Sequence, residues 1–271
     1  MTLDDKFTNL KISLKKMDRV IIAYSGGVDS SFLLKAASLS GLSNILAVTG
    51  VSESVPEEEL SFAKELASSL NIKHRCITTD ELKNENYANN PPDRCYYCKK
   101  DLFSKLRQIA TEEGIPFILD GTNADDAHDW RPGKRAAQEE GVVSPLLDAE
   151  FSKNEIRELS KDLGLPTWDK PATPCLSSRF PYGHKITAEA LSRVSKAESF
   201  LKKLGLRELR VRDHGETARI EVHPEDFRIF INDTARGKII SYMKSIGYKN
   251  IALDLQGFRS GSFNEDISKR K

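Results

Sequence analysis

No stretch of this 271-residue sequence comes near the ~20 consecutive apolar residues that a membrane-spanning helix needs. Its first residues, Met1-Thr2-Leu3-Asp4-Asp5-Lys6, carry neither the basic nor the apolar part of a signal sequence, so the chain reads as cytoplasmic. Net charge is nearly absent too: 41 basic residues against 40 acidic ones leave +1, and no overall field draws the protein to nucleic acid or to a membrane. Cysteine is scarce. Four in a chain of this length, two of them as Cys95-x-x-Cys98, argue for metal or redox chemistry over a disulfide scaffold. Two nucleotide signatures are also missing: no Gly-Lys-Ser/Thr closes a nucleoside-triphosphate loop, and the glycine spacing does not match the dinucleotide fingerprint.

What is there is Val20-Ile21-Ile22-Ala23-Tyr24 followed by Ser25-Gly26-Gly27-Val28-Asp29-Ser30-Ser31. The apolar, β-branched run is a buried strand, and a helical pattern opens at Ser30 with Phe32, Leu33, Leu34 and Ala37. Two adjacent glycines let successive backbone N–H groups converge on one point, which the positive end of the new helix also faces; a phosphate fits there. The pattern Ser-Gly-Gly-x-Asp-Ser resembles the PP-loop of N-type ATP pyrophosphatases. That resemblance implies that Ser25, Gly26, Gly27, Val28, Asp29, Ser30 and Ser31 bind ATP with Mg²⁺. It also implies cleavage between the α and β phosphates, with AMP passed to a carbonyl or carboxyl oxygen and pyrophosphate left in the loop.

Around this stretch, strands and helices alternate. An amphipathic helix spans residues 1–17, strands are expected at 44–49, 72–79 and 117–119, and Val142 to Leu146 suggests a last short strand. Cys76, between Arg75 and Ile77 in the third strand, reads as a small buried hydrophobe outside the site. The alternation implies an α/β fold, a Rossmann-like parallel sheet covered on both faces with ligands above the carboxyl ends of its strands. Asp120, Asp125, Asp126 and Asp129 follow the strand at 117–119, suited either to Mg²⁺ and ribose contacts or to Asx turns and a helix cap. Ser152-Lys153-Asn154-Glu155 is a capping box.

A domain boundary is expected near residue 182, giving a pyrophosphatase-like domain over 1–182 and a smaller α+β domain over 183–271 for substrate binding or oligomerisation. In the second domain Glu198 falls on the apolar stripe of a helix, so its carboxylate needs a cationic partner or a ligand. A hairpin turning at His214-Gly215 would set Arg219 opposite Arg210, with Arg212 and Glu221 on the same face. Such a face is either a floor for an anion or a set of charges fanned into water. Cys95 and Cys98 stand on the first turn of a helix, where the helix dipole favours the thiolate that ligates metals. With Cys175, in a proline-stiffened loop, they make three thiolates, one short of a closed four-cysteine site.

Several stretches together resemble the LarE family of ATP-dependent sulfur transferases. They are SGGVDSS, Gly121 to Gly133, Ser144-Pro145-Leu146, Pro174-Cys175-Leu176-Ser177-Ser178-Arg179, Pro181 to Thr187 and Arg210-Val211-Arg212. The resemblance implies that a carboxylate of pyridinium-3,5-biscarboxylic acid mononucleotide is adenylated and converted to thiocarboxylate during synthesis of the nickel-pincer nucleotide cofactor. It implies that Cys175 handles sulfur, and that Glu198, Arg210, Arg212 and Glu221 contact substrate or a metal ion. It further implies homo-hexamers, with the sulfur donor unspecified. One branch of the family has only the cysteine equivalent to Cys175 and loses its sulfur to the product. The added Cys95 and Cys98 resemble instead the branch in which Cys95, Cys98 and Cys175 would hold a [4Fe-4S] cluster. A zinc ion completed by water or a histidine such as His74 or His128, a redox disulfide and plain thiols are the alternatives at that site. A tRNA thiolase, or another adenylating amidotransferase or synthetase, is the alternative function.

Overall fold

The computed structural model describes residues 2–128, 132–171 and 173–259. The chain divides into two compact units, Met1–Asn84 with Asp93–Pro174, and Glu85–Pro92 with Cys175–Lys271. In chain order the first unit contributes α1 (Leu3–Met17), β1 (Arg19–Ala23), α2 (Val28–Ser38), β2 (Asn44–Val51), α3 (Glu57–Ser69) and β3 (Lys73–Thr78). After α4 (Glu85–Ala88), which belongs to the second unit, it resumes with α5 (Arg94–Glu113), β4 (Phe117–Leu119), α6 (Gly133–Glu139), α7 (Pro145–Asp148) and α8 (Lys153–Asp162). The second unit continues with α9 (Ala188–Lys203), β5 (Leu209–His214), β6 (Thr217–Val222), α10 (Phe227–Ile231), α11 (Asp233–Ser245) and β7 (Asn250–Leu253). No helix among the described residues is long and apolar enough to cross a membrane.

The first unit is built on a parallel sheet of order β3-β2-β1-β4. β1 is central, with Ile21 level with Leu46 on one side and Ile118 on the other. Its run is apolar at successive positions because both faces are covered. Val20 and Ile22 join a core with α1, α2, α3 and α8, while Ile21 joins the opposite core with Phe103, Leu106 and Ala136 from α5 and α6. This is the α/β arrangement expected from the alternation of elements.

Two expectations fail here for local reasons. Val142 to Leu146 forms no strand: Val143 makes a single parallel bridge to Leu119, and Pro145, without an N–H, opens α7 instead. Cys76 is exposed rather than buried, because β3 is an edge strand whose side chains alternate toward solvent.

The second unit holds a three-stranded sheet, β5-β6-β7, antiparallel between β5 and β6 and parallel between β6 and β7. Its own core joins Leu201, Val211, Ile220, Met243 and Tyr248. The hairpin turns one residue later than expected. His214 pairs with Thr217, so Gly215 and Glu216 form the turn, and the Asp213 carboxylate accepts the Gly215 N–H at 2.9 Å. The register therefore sets Glu221 opposite Arg210 and Arg219 opposite Arg212. Residues 175–182, grouped by pattern with the first domain, make their bonds in this unit. Tyr87 hydroxyl lies 2.5 Å from Ser177 Oγ, and Asn90 donates to the carbonyls of Phe180 and Pro181.

Phe32 is fully buried, with ring centroids 5.8 Å from Phe7 and 5.6 Å from Phe151. Phe32→Ala should cost about 3–5 kcal/mol, read as a lowered urea midpoint at unchanged slope.

Candidate active site

The loop Ser25–Gly27 leaves β1 and enters α2, whose N-cap, Gly27, supplies no side-chain cap. The first N–H groups of the helix are thus left for an anion. Gly26 has φ +72°, and a Cβ there would come within 2.9 Å of the Ala63 Cβ on α3, so only glycine lets the helix back this bend. Gly121 solves a similar problem after β4, where a Cβ would fall 2.9 Å from the Ser30 nitrogen. Inside the loop Ser25 N–H donates to Ser30 Oγ at 3.3 Å, and Gly27 N–H donates to Ser25 Oγ at the same distance. Val28 is buried, so what it offers a ligand is its backbone N–H, whereas the N–H of buried Ser31 already donates to the Gly27 carbonyl at 3.0 Å.

Asp29 is fixed from outside the loop. Lys153 Nζ lies 2.6 Å from its Oδ2, and the Asn123 side-chain amide donates to its Oδ1 at 3.1 Å. Lys170 Nζ donates to the Gly26 carbonyl at 3.1 Å, pairs with Glu59 at 2.8 Å and lies 4.1 Å from the centre of the Phe62 ring. The other acidic residues close local turns. Asp120 accepts from Thr122 and Ser144, the Asp126 carboxylate accepts the Asn123 N–H while the Asp126 N–H donates to the Asn123 side-chain carbonyl, and Asp125 accepts the Lys153 N–H at the start of α8. Asp129 lies outside the described residues, as does the segment 260–271. Beyond β2, Ser52 and Ser54 both donate to one oxygen of buried Glu81.

Cys95 is exposed and Cys98 partly so, on the first turn of α5 and three residues apart, which puts them on one helix face. Both belong to the first unit, and Cys175 to the second. Among the described residues no group of three or more His, Cys, Asp or Glu side chains is arranged to hold a metal ion.

In the second unit Cys175 caps a short 3₁₀ turn, Leu176–Arg179, and its thiol is partly exposed. Its carbonyl accepts the Ser178 N–H at 3.0 Å and the Arg179 guanidinium at 3.2 Å. Arg179 is 1% exposed and clasps Glu198 in two parallel bonds of 2.8 and 2.9 Å, while Glu198 also accepts the Val211 N–H. The partner demanded by Glu198 is thus Arg179. Arg212 donates to the Ser178 carbonyl at 2.7 Å and to Glu221, whose other oxygen takes Arg219 at 2.9 Å. The anion among these arginines is therefore a buried carboxylate of the chain itself. Arg210 lies over the Phe258 ring at 5.0 Å; burial first, and then the Arg179 guanidinium, bring its pKa down to about 10.

Sequence reasoning missed Lys153, Lys170 and Glu81. Lys153 and Lys170 reach the loop from 124 and 144 residues away, and no local pattern announces such a contact. Arg179 stands inside the Pro-Cys-Leu-Ser-Ser-Arg stretch, and the stripe position of Glu198 is the signal that could have matched the two.

A parallel sheet of this order, with a Ser-Gly-Gly-x-Asp-Ser loop between its central strand and a helix, defines a protein of the PP-loop class. No family model matches the chain. It is 44% identical to an uncharacterised protein of Synechocystis over 98% of this chain and 100% of that one. It is 40% identical to the pyridinium-3,5-bisthiocarboxylic acid mononucleotide synthase of Lactiplantibacillus plantarum, over 99% of this chain and 97% of the synthase. A tRNA-specific 2-thiouridylase of Thermoanaerobacter is 24% identical over 68% of this chain and 62% of that enzyme. The chain belongs to the family of the Lactiplantibacillus synthase, the LarE family.

Arg179→Ala would leave Glu198 buried without its cation and should cost about 3–5 kcal/mol. The measurement is chemical denaturation, and Arg179→Ala combined with Glu198→Leu should recover most of the loss.

Proposed function

We propose that this protein is an ATP-dependent sulfur transferase. It adenylates a carboxylate of pyridinium-3,5-biscarboxylic acid mononucleotide and converts it to thiocarboxylate, a step in the synthesis of the nickel-pincer nucleotide cofactor. The observation that carries this reading is the near-complete match to the Lactiplantibacillus synthase, joined to a phosphate loop backed on all sides by its own unit.

ATP lies with its phosphates on the N–H groups of the loop and α2, and the PP-loop relatives use it with Mg²⁺. Asp29, with phosphate oxygens, is the residue of this loop suited to that ion, since Mg²⁺ keeps waters and takes few carboxylates. A substrate carboxylate oxygen attacks the α phosphorus; the bond to the bridging oxygen breaks and pyrophosphate leaves. The resulting acyl-adenylate carries AMP as a good leaving group. The Cys175 thiolate attacks its carbonyl carbon, forming a thioester as AMP departs, and the thiocarboxylate is freed when the Cys175 Cβ–S bond breaks with loss of the Cα proton, leaving dehydroalanine in the chain. Arg179, by holding the carbonyl of Cys175, fixes where that sulfur starts. Arg210 and Arg212 supply the cationic surroundings suited to a substrate with phosphate and carboxylates.

The second part of the proposal concerns Cys95 and Cys98. Two soft ligands on one exposed helical turn fit the edge of an iron–sulfur cluster, and Cys95, Cys98 and Cys175 are the residues that would hold a [4Fe-4S] group. Such a cluster, if bound, would supply iron at which sulfide could take the place of the Cys175 sulfur. Assembly as a homo-hexamer in the cytoplasm completes the reading.

Incubation with ATP, Mg²⁺ and the pyridinium mononucleotide should release pyrophosphate only when the mononucleotide is present. Cys175→Ala should keep that release while yielding no thiocarboxylate by mass spectrometry. Pyrophosphate release driven instead by bulk tRNA, with sulfur entering the RNA, would overturn the substrate assignment. For the cluster, anaerobically purified protein should carry about four irons per chain, lost in Cys95→Ala and Cys98→Ala. Colourless protein loaded with zinc and still turning over many times would remove the cluster and leave adenylation intact.

A further inference from the structure

The loop carries no lysine of its own, yet two ammonium groups stand at it, and one helix governs both. On α8, Lys153 and Arg157 are four residues apart and so share a face. Lys153 reaches Asp29. Arg157 reaches the segment beyond the helix, donating to the Trp168 carbonyl at 2.7 Å and to the Lys170 carbonyl at 2.9 Å. Lys161, also on α8, lies 5.0 Å from the centre of the Trp168 ring. The strapped segment then sends Lys170 back to the Gly26 carbonyl. A closed circuit results, from loop to Lys153, along α8 to Arg157, on to Lys170 and back to the loop.

The chemistry of Lys170 suits a ligand at that place. An ammonium has three donors. The Gly26 carbonyl and Glu59 take two, which leaves one for an oxygen of whatever the loop cradles. Its ammonium lies over the Phe62 ring, 4.1 Å from the ring centre, so the head is held in place while the side chain stays 16% exposed. Cleavage between the α and β phosphates leaves the more highly charged fragment, pyrophosphate, on the loop, and a cation beside the loop backbone acts chiefly on that half.

We infer that Lys170 binds the pyrophosphate half of ATP at this loop and that Arg157 is the positioning residue that aims it. The inference rests on the reading of the loop as an ATP site.

Titration calorimetry with inorganic pyrophosphate, ATP and AMP, each with Mg²⁺, tests it. Lys170→Ala should weaken pyrophosphate and ATP by about tenfold or more and leave AMP nearly unchanged. Lys170→Met, which keeps an unbranched apolar side chain without the charge, should do the same and serves if the alanine variant does not fold. Arg157→Met should weaken pyrophosphate to a smaller degree and raise the KM for ATP with kcat little changed, while Arg157→Lys restores part of the loss. In a Lys170→Ala background, Arg157→Met should add nothing. The same added loss in both backgrounds overturns the positioning role. AMP weakened as much as pyrophosphate, or pyrophosphate binding left intact in both Lys170 variants, overturns the inference while the ATP reading stands. A wild-type protein that binds neither ATP nor pyrophosphate overturns both.

Discussion

The backbone at Gly26 is held from three directions, and the site depends on that restraint. From below, Tyr24 N–H donates to the Val48 carbonyl and Thr49 Oγ1 donates to the Tyr24 carbonyl, which ties the residue before the loop to the end of β2. From the side, Ala63 of α3 sits where a Cβ would be. From above, Lys170 takes the Gly26 carbonyl. An oxyanion is stabilised by N–H dipoles only if they already point at it, because any reorientation on binding is subtracted from the interaction. The continuous apolar run of β1, buried on both faces, is the foundation of this arrangement, since it fixes the height at which the chain leaves the sheet.

The second unit solves a different problem, that of keeping several arginines close together inside a protein. Arg179 is matched by Glu198, and Glu221 lies between Arg212 and Arg219, which also lies 3.5 Å from Asp254. Such buried pairs are weak sources of net stability, because desolvation consumes most of their attraction, but breaking one is costly. Their effect is to specify geometry. Arg179 and Arg212 each spend a donor on the backbone of the 175–178 turn, so the ion pairs that hold the arginines also hold that turn. At Arg210 it is burial, more than the neighbouring Arg179, that brings the pKa down to about 10.

The elements of the fold were legible where a single local rule decides. Apolar runs marked the strands, the Ser152–Glu155 capping box marked the start of α8, and the glycines marked the loop. The failures came where two local signals compete. A β-branched pair at Val142 and Val143 met Pro145, and the proline won. At the hairpin, a side-chain bond from Asp213 to the Gly215 N–H moved the turn by one residue and with it the pairing of every arginine on that face. In the candidate site, the turn between β1 and α2 could be read directly as an element, and the stripe position of Glu198 declared that a cation was required. Which cation it was, and which lysines serve the loop, depended on contacts across long stretches of chain that no periodicity encodes.

In the proposed reaction the Cys175 sulfur must be both placed and available, and its turn bears on both. A thiol that must attack a carbonyl carbon needs an approach fixed to within a fraction of an ångström, yet its own side chain has one rotatable bond that matters, so the precision has to come from the backbone. Here the Cys175 carbonyl is bonded twice, by the Ser178 N–H and by Arg179, while the thiol itself stays partly exposed. Tyr87 against Ser177 and Asn90 against Phe180 and Pro181 brace the same turn from a separate segment of chain. These bonds are made to main chain or to neighbouring hydroxyls, and they leave the rotation of the sulfur about its Cα–Cβ bond as the freedom with which Cys175 would meet the acyl group of the proposed reaction.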